Sequence, residues 1–369
     1  MYIVTGANLF GQWFSWANNT SYFDKFETVS PENESKFDFK KAKLVTSCWS
    51  YNIFQVDNVF YIAGSWHGKD NQIINAPTEH NKQISKQSGV LITGNDYMLI
   101  LVEKVSRSIW YFDFETEYFK KIKLNEEPIL ESTVKKLRIT DDIVKVAATN
   151  NTFIYLTSGG NVYTGQLPSY VDTQSCIGKV SDVECGYEHY MLLTTAGRVY
   201  TWGNGRRLQL GHGDLTNLDV PTEVAALAGI KIIKIKAGGW HSLALSEYGD
   251  LYAWGWNDTG QLGMNAKRNG EENIEKKGQK NYAVPRPVDI YDDQGKEVEL
   301  DVKDIACGTR HSAILLEDNT VWTTGCNKYG QLGFSPKDYE KLEYFKKSFH
   351  SPNITNLKGG PWCTIVEAF

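Results

Sequence analysis

Apolar and polar positions alternate along this chain over short runs, and the runs are divided by Gly, Asn and Asp. In "HSLALSEYGDLYAWG" (241–255), Leu243 and Leu245 recur at period two, the pattern of a strand with one buried face. "SEYGD" then reads as a hairpin turn in which Gly249 supplies a positive φ. "LYAW" is the return strand, and "NDTGQLG" is a second turn leading outward. Ala-rich helical runs are absent, so the chain reads as all-β.

The same unit recurs. "DVECGYEHYMLLTTAGRVYTWGNGRRLQLG" (182–211), "KIKAGGWHSLALSEYGDLYAWGWNDTGQLG" (234–263) and "DIACGTRHSAILLEDNTVWTTGCNKYGQLG" (304–333) align without gaps through their central part. His189, His241 and His311 each follow a glycine by three positions, after Gly186, Gly238 and Gly308. Fourteen residues beyond each histidine stands a second glycine, Gly203, Gly255 or Gly325. Looser copies precede these at 142–165, where Thr152 replaces the histidine, and at 42–68 and 89–113.

A period near fifty residues marks a repeat architecture, and three or four antiparallel strands per unit make a propeller blade. Six blades are expected at 40–87, 88–140, 141–178, 179–230, 231–300 and 301–358. The tail "GGPWCTIVEAF" resembles the first half of a unit, with Trp362 to Val366 as a strand. The head "YIVTGANLFGQ" resembles the second half, with Thr5-Gly6 at the Trp-Gly position and Gly11-Gln12 at the Gly-Gln one. The expected fold is therefore a single seven-bladed β-propeller domain over 1–369, closed by joining the N- and C-terminal segments in one blade. Closure removes the open sheet edges that invite aggregation.

The run Gly-x-x-His-Ser followed by Trp-Gly-x-Asn-x-x-Gly-Gln-Leu-Gly resembles the repeat of the regulator of chromosome condensation superfamily. It is plain over 182–334 and weak before 165. The doublet "GGWHS…YAWGWN" is most similar to a small single-propeller branch. That resemblance implies a non-enzymatic interaction scaffold with a chromatin-linked protein partner, named here as a JmjC-type oxygenase. The founding branch implies an alternative, guanine-nucleotide exchange on a small GTPase. Another branch implies partnership with a zinc-ribbon electron carrier in translation-factor or transfer-RNA modification.

Composition narrows the chemistry. The formal net charge of −5 without a basic block argues against a large phosphate-neutralising surface, so no direct nucleic-acid contact is expected. The head lacks a charged n-region and a continuous apolar stretch, and no eighteen-residue apolar run occurs. A nuclear or cytoplasmic protein, not secreted, with no membrane span is expected. The six cysteines form no Cys-x-x-Cys pair, which speaks against disulfides and zinc. No cofactor is implied, and a monomer or heterodimer is expected.

Candidate catalytic groups reduce to structural ones. A catalytic histidine need occur only once, whereas His189, His241 and His311 recur in register; the motif Gly186, His189, Gly203, Gly238, His241, Gly255, Gly308, His311 and Gly325 is read as architectural. Cys185 and Cys307 share a slot with Ala237 and read as small buried residues. There is no Gly-x-Ser-x-Gly, His-Glu-x-x-His or phosphate-binding loop, and "GNGRRLQLG" opens no helix. The pairs Asp141-Asp142 and Asp292-Asp293 read as solvated.

Meander parity puts the loops inside Gly-x-x-His on the same face as the Gly-Asn turns. That face gathers Tyr187, Arg206, Arg207, Trp240, Trp256, Asn257, Arg310 and Lys328 as the candidate partner-binding set. Packing of Trp240 and Trp256 between blades is the competing reading, and Trp254 is assigned to the core. Spacing also exposes an insertion: 52 residues separate Gly203 from Gly255, but 70 separate Gly255 from Gly325. The excess falls in 264–300. Its polar first part is expected to be mobile, and "AVPRPV" (283–288) is expected to dock back on the ring. A tolerated surface loop is the competing reading for it and for 70–89.

Overall fold

A computed structural model of the chain describes residues 1–13, 21–29, 41–56, 59–66, 68–75, 90–103, 108–113, 116, 118–122, 141–148, 153–264 and 281–369. These form seven four-stranded antiparallel sheets in a ring, a seven-bladed β-propeller. Six are meanders in chain order whose innermost strands are Lys43–Ser47, Val90–Gly94, Ile143–Ala148, Val180–Cys185, Ile232–Ala237 and Val302–Cys307.

The seventh sheet joins the two ends in the order Tyr22–Val29, Tyr2–Ala7, Cys363–Ala368, Ile354–Gly360. Its central register runs from Tyr2↔Glu367 to Gly6↔Cys363. The seam lies earlier than the repeat count places it. Residues 354–358, assigned by pattern to the blade before, are the innermost strand of the closing blade.

Strands buried on both faces replace the expected one-faced ones. In His241–Ser246 all six residues are buried. Leu243 and Leu245 pack with Ile305, Ile314 and Trp322 of the following blade, while Ala244 packs with Met191 and Val199 of the preceding one. Each sheet is thus an inner layer between two neighbours. Among the described residues there are seven apolar clusters, one at each seam between blades. Trp13, Trp66 and Trp254 are the largest fully buried side chains, each worth about 3 kcal/mol of apolar burial. The closing seam adds a phenol clasp: Tyr2 Oη donates to Ala42 O at 3.2 Å and accepts from Leu44 N at 2.6 Å.

The return segment of the insertion forms the outermost strand Asn281–Pro287, paired with Leu251–Trp256 from Tyr252↔Pro287 to Trp256↔Asn281. An outermost strand tolerates Pro285 and Pro287 because the missing N–H faces away from the sheet. Residues 265–280 of the insertion, 76–89 of the earlier loop, and Thr152 lie outside the described residues. Among the described residues, no helix is long and apolar enough to cross a membrane.

Candidate functional site

The Gly-x-x-His repeat is a packing device. His189, His241 and His311 are at most 1% exposed, and each imidazole lies directly over its own glycine. A Cβ at Gly186, Gly238 or Gly308 would stand 2.0–2.1 Å from the Cε1 of His189, His241 or His311, inside any tolerable contact. It would also meet the carbonyl oxygen of Gly238, Gly308 or Gly360 in the next blade. Two of the three rings then bond across the seam through Nε2. His189 Nε2 meets Ser242 Oγ at 3.2 Å, and His241 Nε2 meets Ser312 Oγ at 3.0 Å. Those hydroxyls donate back to Gln209 O and Gln261 O; Thr364 does the same to Gln331 O at 2.7 Å.

Burial drives the imidazoles towards the neutral form. His189 and His311 are lowered to about 4. His241 falls to about 3, where burial is reinforced by the charges of His311 and His189. A base that is neutral, inaccessible and engaged in a seam has no route to a substrate.

The Gly-Gln turn is equally uniform. Arg207, Thr259, Tyr329 and Phe10 each donate a backbone N–H to the Oε1 of the glutamine two positions on, at 2.8–3.0 Å. Gly255 has φ +102, and a Cβ there would strike Trp240 O at 2.6 Å. Gly6 in the head has φ +116 and the same approach to Trp362 O, as its alignment with the Trp-Gly position requires. Asn257 Oδ1 accepts from Leu262 N at 2.9 Å, as Asn327 does from Leu332 N and Asn8 from Trp13 N. Asn257, placed with the exposed turn residues by parity, is instead buried and clasps its own turn.

Above these turns the side chains of one face converge. The Arg207 guanidinium lies 4.1 Å from the Trp240 ring centroid and 4.6 Å from that of Trp256. Tyr187 meets Trp240 edge-on at 5.1 Å, and its hydroxyl is 3.4 Å from Thr309 Oγ1. Arg310 pairs with Asp258. Arg206 and Lys328 are exposed, whereas Tyr187, Arg207, Trp240, Trp256 and Arg310 are half-buried. The tryptophans pack across a blade seam and retain exposed surface.

A second cluster lies on the same face and escaped the sequence reading. Trp49, Trp362 and Tyr329 stand 5.4–5.8 Å apart by ring centroids, with Phe10 against Trp49 at 6.2 Å. Lys328 Nζ sits 5.2 Å from the Tyr329 ring. The signal was available by register. Trp362 precedes Cys363 as Trp240 precedes His241, and Tyr329 precedes Gly330 as Arg207 precedes the residue before Gln209.

A channel of about 850 Å³ runs along the axis, with Trp49, Tyr187, Tyr329 and Trp362 among its lining residues. Each of its lining lysines is paired with an acid, while Asp96 accepts from Trp49 N at 3.1 Å. Lys145 pairs with Asp182 at 2.6 Å and Glu184 at 2.9 Å, Lys236 with Glu184, Lys234 with Asp304, and Lys358 with Glu367. Burial pushes the Glu184 carboxyl up, but Lys145 and Lys236 outweigh it and hold the group well below the usual range. Cys185 and Cys307 are half-buried on the channel wall rather than sealed in the core. Burial pushes both thiols well up, which keeps them protonated and poor nucleophiles.

Comparison with known proteins agrees with the geometry. The regulator of chromosome condensation (RCC1) repeat matches residues 196–245 and 248–315, and a second description of the same repeat matches 180–209, 232–261 and 302–331. RCC1 domain-containing protein 1 of Mus musculus is 36% identical, over 52% of this chain and 56% of that protein. Its Homo sapiens counterpart is 34% identical with the same coverage. The chain thus spans just over half the length of these relatives. The crystal structure of human WBSCR16 superposes with a TM-score of 0.71 at 15% identity, covering 100% of this chain and 99% of that one. Prp20p from Saccharomyces cerevisiae, described with its binding to Gsp1p and histones, gives 0.69 at 16%, covering 99% and 90%. These two likenesses are of fold.

Proposed function

We propose that this propeller of regulator of chromosome condensation repeats is a non-enzymatic scaffold that holds a protein partner on the face bearing Arg207, Trp240 and Trp256. The observation that carries the reading is the Arg207 guanidinium lying 4.1 and 4.6 Å from the ring centroids of two half-buried indoles. Tryptophan and arginine dominate interface hot spots because they combine large apolar area with directed donors. Tyr187, Arg206, Arg310 and Lys328 complete the surface; Asn257 supports it from below. The repeated histidines are buried at blade seams and the channel lysines are held in ion pairs, which is consistent with this reading.

The finer part of the proposal is a chromatin-linked JmjC-type oxygenase as partner, in the nucleus. It rests on the resemblance of the doublet "GGWHS…YAWGWN" to the single-propeller branch. The fold shared with Prp20p, whose structure is described with Gsp1p and histone binding, supports the alternative of a small GTPase as partner.

The test is direct binding of the purified chain to a JmjC oxygenase domain and to a nucleotide-free small GTPase. The variant Trp240→Ala with Trp256→Ala is run beside it after its melting temperature is checked. Oxygenase binding that weakens at least about tenfold in the variant is the expected result. Accelerated nucleotide release from the GTPase, without oxygenase binding, replaces the first reading with the second. Undiminished partner binding by the variant removes this face from the account.

A further inference from the structure

Arg207 is anchored at its backbone as the other turns are, but its side chain is used differently. Its backbone N–H is taken by Gln209 Oε1 at 2.8 Å. Its guanidinium, stacked on Trp240 and Trp256, makes no ion pair or side-chain hydrogen bond with any described residue. Both indoles lie against the guanidinium, while its N–H fork finds no protein acceptor among the described residues. The neighbouring acids are already engaged: Asp258 with Arg310, and Glu188 with the Asn204 amide at 2.9 Å. Arg206 beside it and Lys328 on another turn of the face are exposed, and neither has an acidic partner among the described residues. A protein of net charge −5 thus places Arg206, Arg207 and Lys328, none ion-paired among the described residues, on one aromatic surface beside the exposed acid Glu188.

We propose that Arg207, clamped between Trp240 and Trp256, is a carboxylate receptor, and that this face takes an acidic peptide segment of its partner. The inference rests on reading that face as an interface. A guanidinium fork matches the two oxygens of a carboxylate, and the flanking indoles and Tyr187 ring supply apolar contact for the peptide chain. A phosphate presents three acceptor oxygens and calls for converging donors. Here one clamped fork stands alone, with Arg206 and Lys328 on separate, exposed positions. An Asp- or Glu-bearing segment is the better match, and the surrounding cations steer it.

Fluorescence anisotropy with the full chain tests this, using fluorescein-labelled hexaglutamate, hexaglutamine, and a hexaglutamine carrying one phosphoserine. Hexaglutamate is expected to bind at least about tenfold more tightly than hexaglutamine, the worth of one charge-assisted pair. Arg207→Ala and Arg207→Lys should each weaken it by about tenfold or more, because lysine keeps the charge but loses the fork and the stacking. Lys303→Ala, an exposed lysine at the opposite end of the strands beside the Gly249 hairpin, should cost no more than about threefold. Unchanged melting temperatures certify the variants. Equal binding of the Glu and Gln peptides overturns the proposal, as does a Lys variant that binds like the parent. A phosphoserine peptide preferred tenfold over hexaglutamate also overturns it, in favour of a phosphopeptide. Self-association that excludes the peptide overturns it in favour of a second copy. If no peptide binds while the double tryptophan variant still loses its partner, the carboxylate site falls and the interface reading stands. If peptide binding depends on Arg207 while that variant keeps its partner, the interface reading falls and the carboxylate site stands.

Discussion

Replacing Gly238 with alanine adds one methyl group at a place where the structure has no room for it. The added Cβ would stand 2.0 Å from Cε1 and 2.5 Å from Nδ1 of His241, and 2.7 Å from Gly308 O. Ordinary carbon contacts begin near 3.5 Å, so the imidazole would have to retreat by well over an ångström. It cannot do so cheaply. The ring is fully buried, and its Nε2 is held at 3.0 Å by Ser312, whose hydroxyl is held at 2.6 Å by Gln261 O. A cost of about 3 kcal/mol follows, the upper end of overpacking penalties. With unfolding entropy near 2.1 cal/mol/K per residue, a ring of this size loses about 4 °C of melting temperature for that cost. His241→Ala alone opens a cavity and should cost about 3 kcal/mol. The double variant should cost about 4 kcal/mol rather than the sum, because the new methyl occupies part of the vacated space. Its residual approach to Gly308 O keeps the rescue incomplete. Gly229→Ala is the control: φ is +89 but nothing lies within 4 Å, so only a backbone cost of about 1 kcal/mol is expected. Urea unfolding of the four variants decides the matter. Strict additivity of Gly238→Ala and His241→Ala, or a Gly238→Ala cost no larger than the control, would refute the packing argument.

Three further outcomes are expected. The buried histidines make the fold sensitive to acid: their folded values lie at about 4, 3 and 4, below the unfolded value near 6.5. Stability is complete above pH ~6.5 and is lost as the pH falls towards 4 and 3, because only the unfolded chain takes up those protons; at pH 5 the loss is about 2 kcal/mol per histidine. A urea midpoint that stays flat from pH 7 to 5 contradicts this. Glu184→Gln removes the acid shared by Lys145 and Lys236 and should cost about 1–2 kcal/mol, after allowance for lysines roughly one-third exposed; a calorimetric melt unchanged within a degree speaks against the channel belt. Tyr2→Phe deletes both bonds of the phenol clasp and should cost about 2 kcal/mol, with proteolysis of the intact fold beginning at the closing blade. Cleavage starting elsewhere would mean that this seam is not the weakest.

The ring, the closing blade and the architectural histidines were legible because repetition turns a local pattern into a constraint. Gly-x-x-His recurs wherever an imidazole must lie over a bare Cα, so the spacing itself carries the packing rule. The seam position was harder. "ITNLKGG" buries Ile354 and Leu357, a spacing of three that follows from a bulge between Ile354 and Asn356, and no period-two pattern marks it. Loop parity correctly brought Tyr187, Arg207, Trp240 and Trp256 together, since strand direction alone fixes which loops share a face. It could not say which turn residues point outward: Asn257 turns in to clasp Leu262 N. Trp49 and Trp362 were missed because their units have Tyr51 and Cys363 where the others have histidine, which hid the register that aligns them.

Site-directed photocrosslinking asks whether a bound partner lies on the Arg207 face. A photoactivatable residue is placed at Arg206, exposed on that face, and in a second protein at Tyr248, 75% exposed in the hairpin at the opposite end of the strands. The account predicts a covalent adduct with the bound partner from position 206 and none from position 248. Adducts from 248 alone would put the partner on the other side of the ring and contradict it.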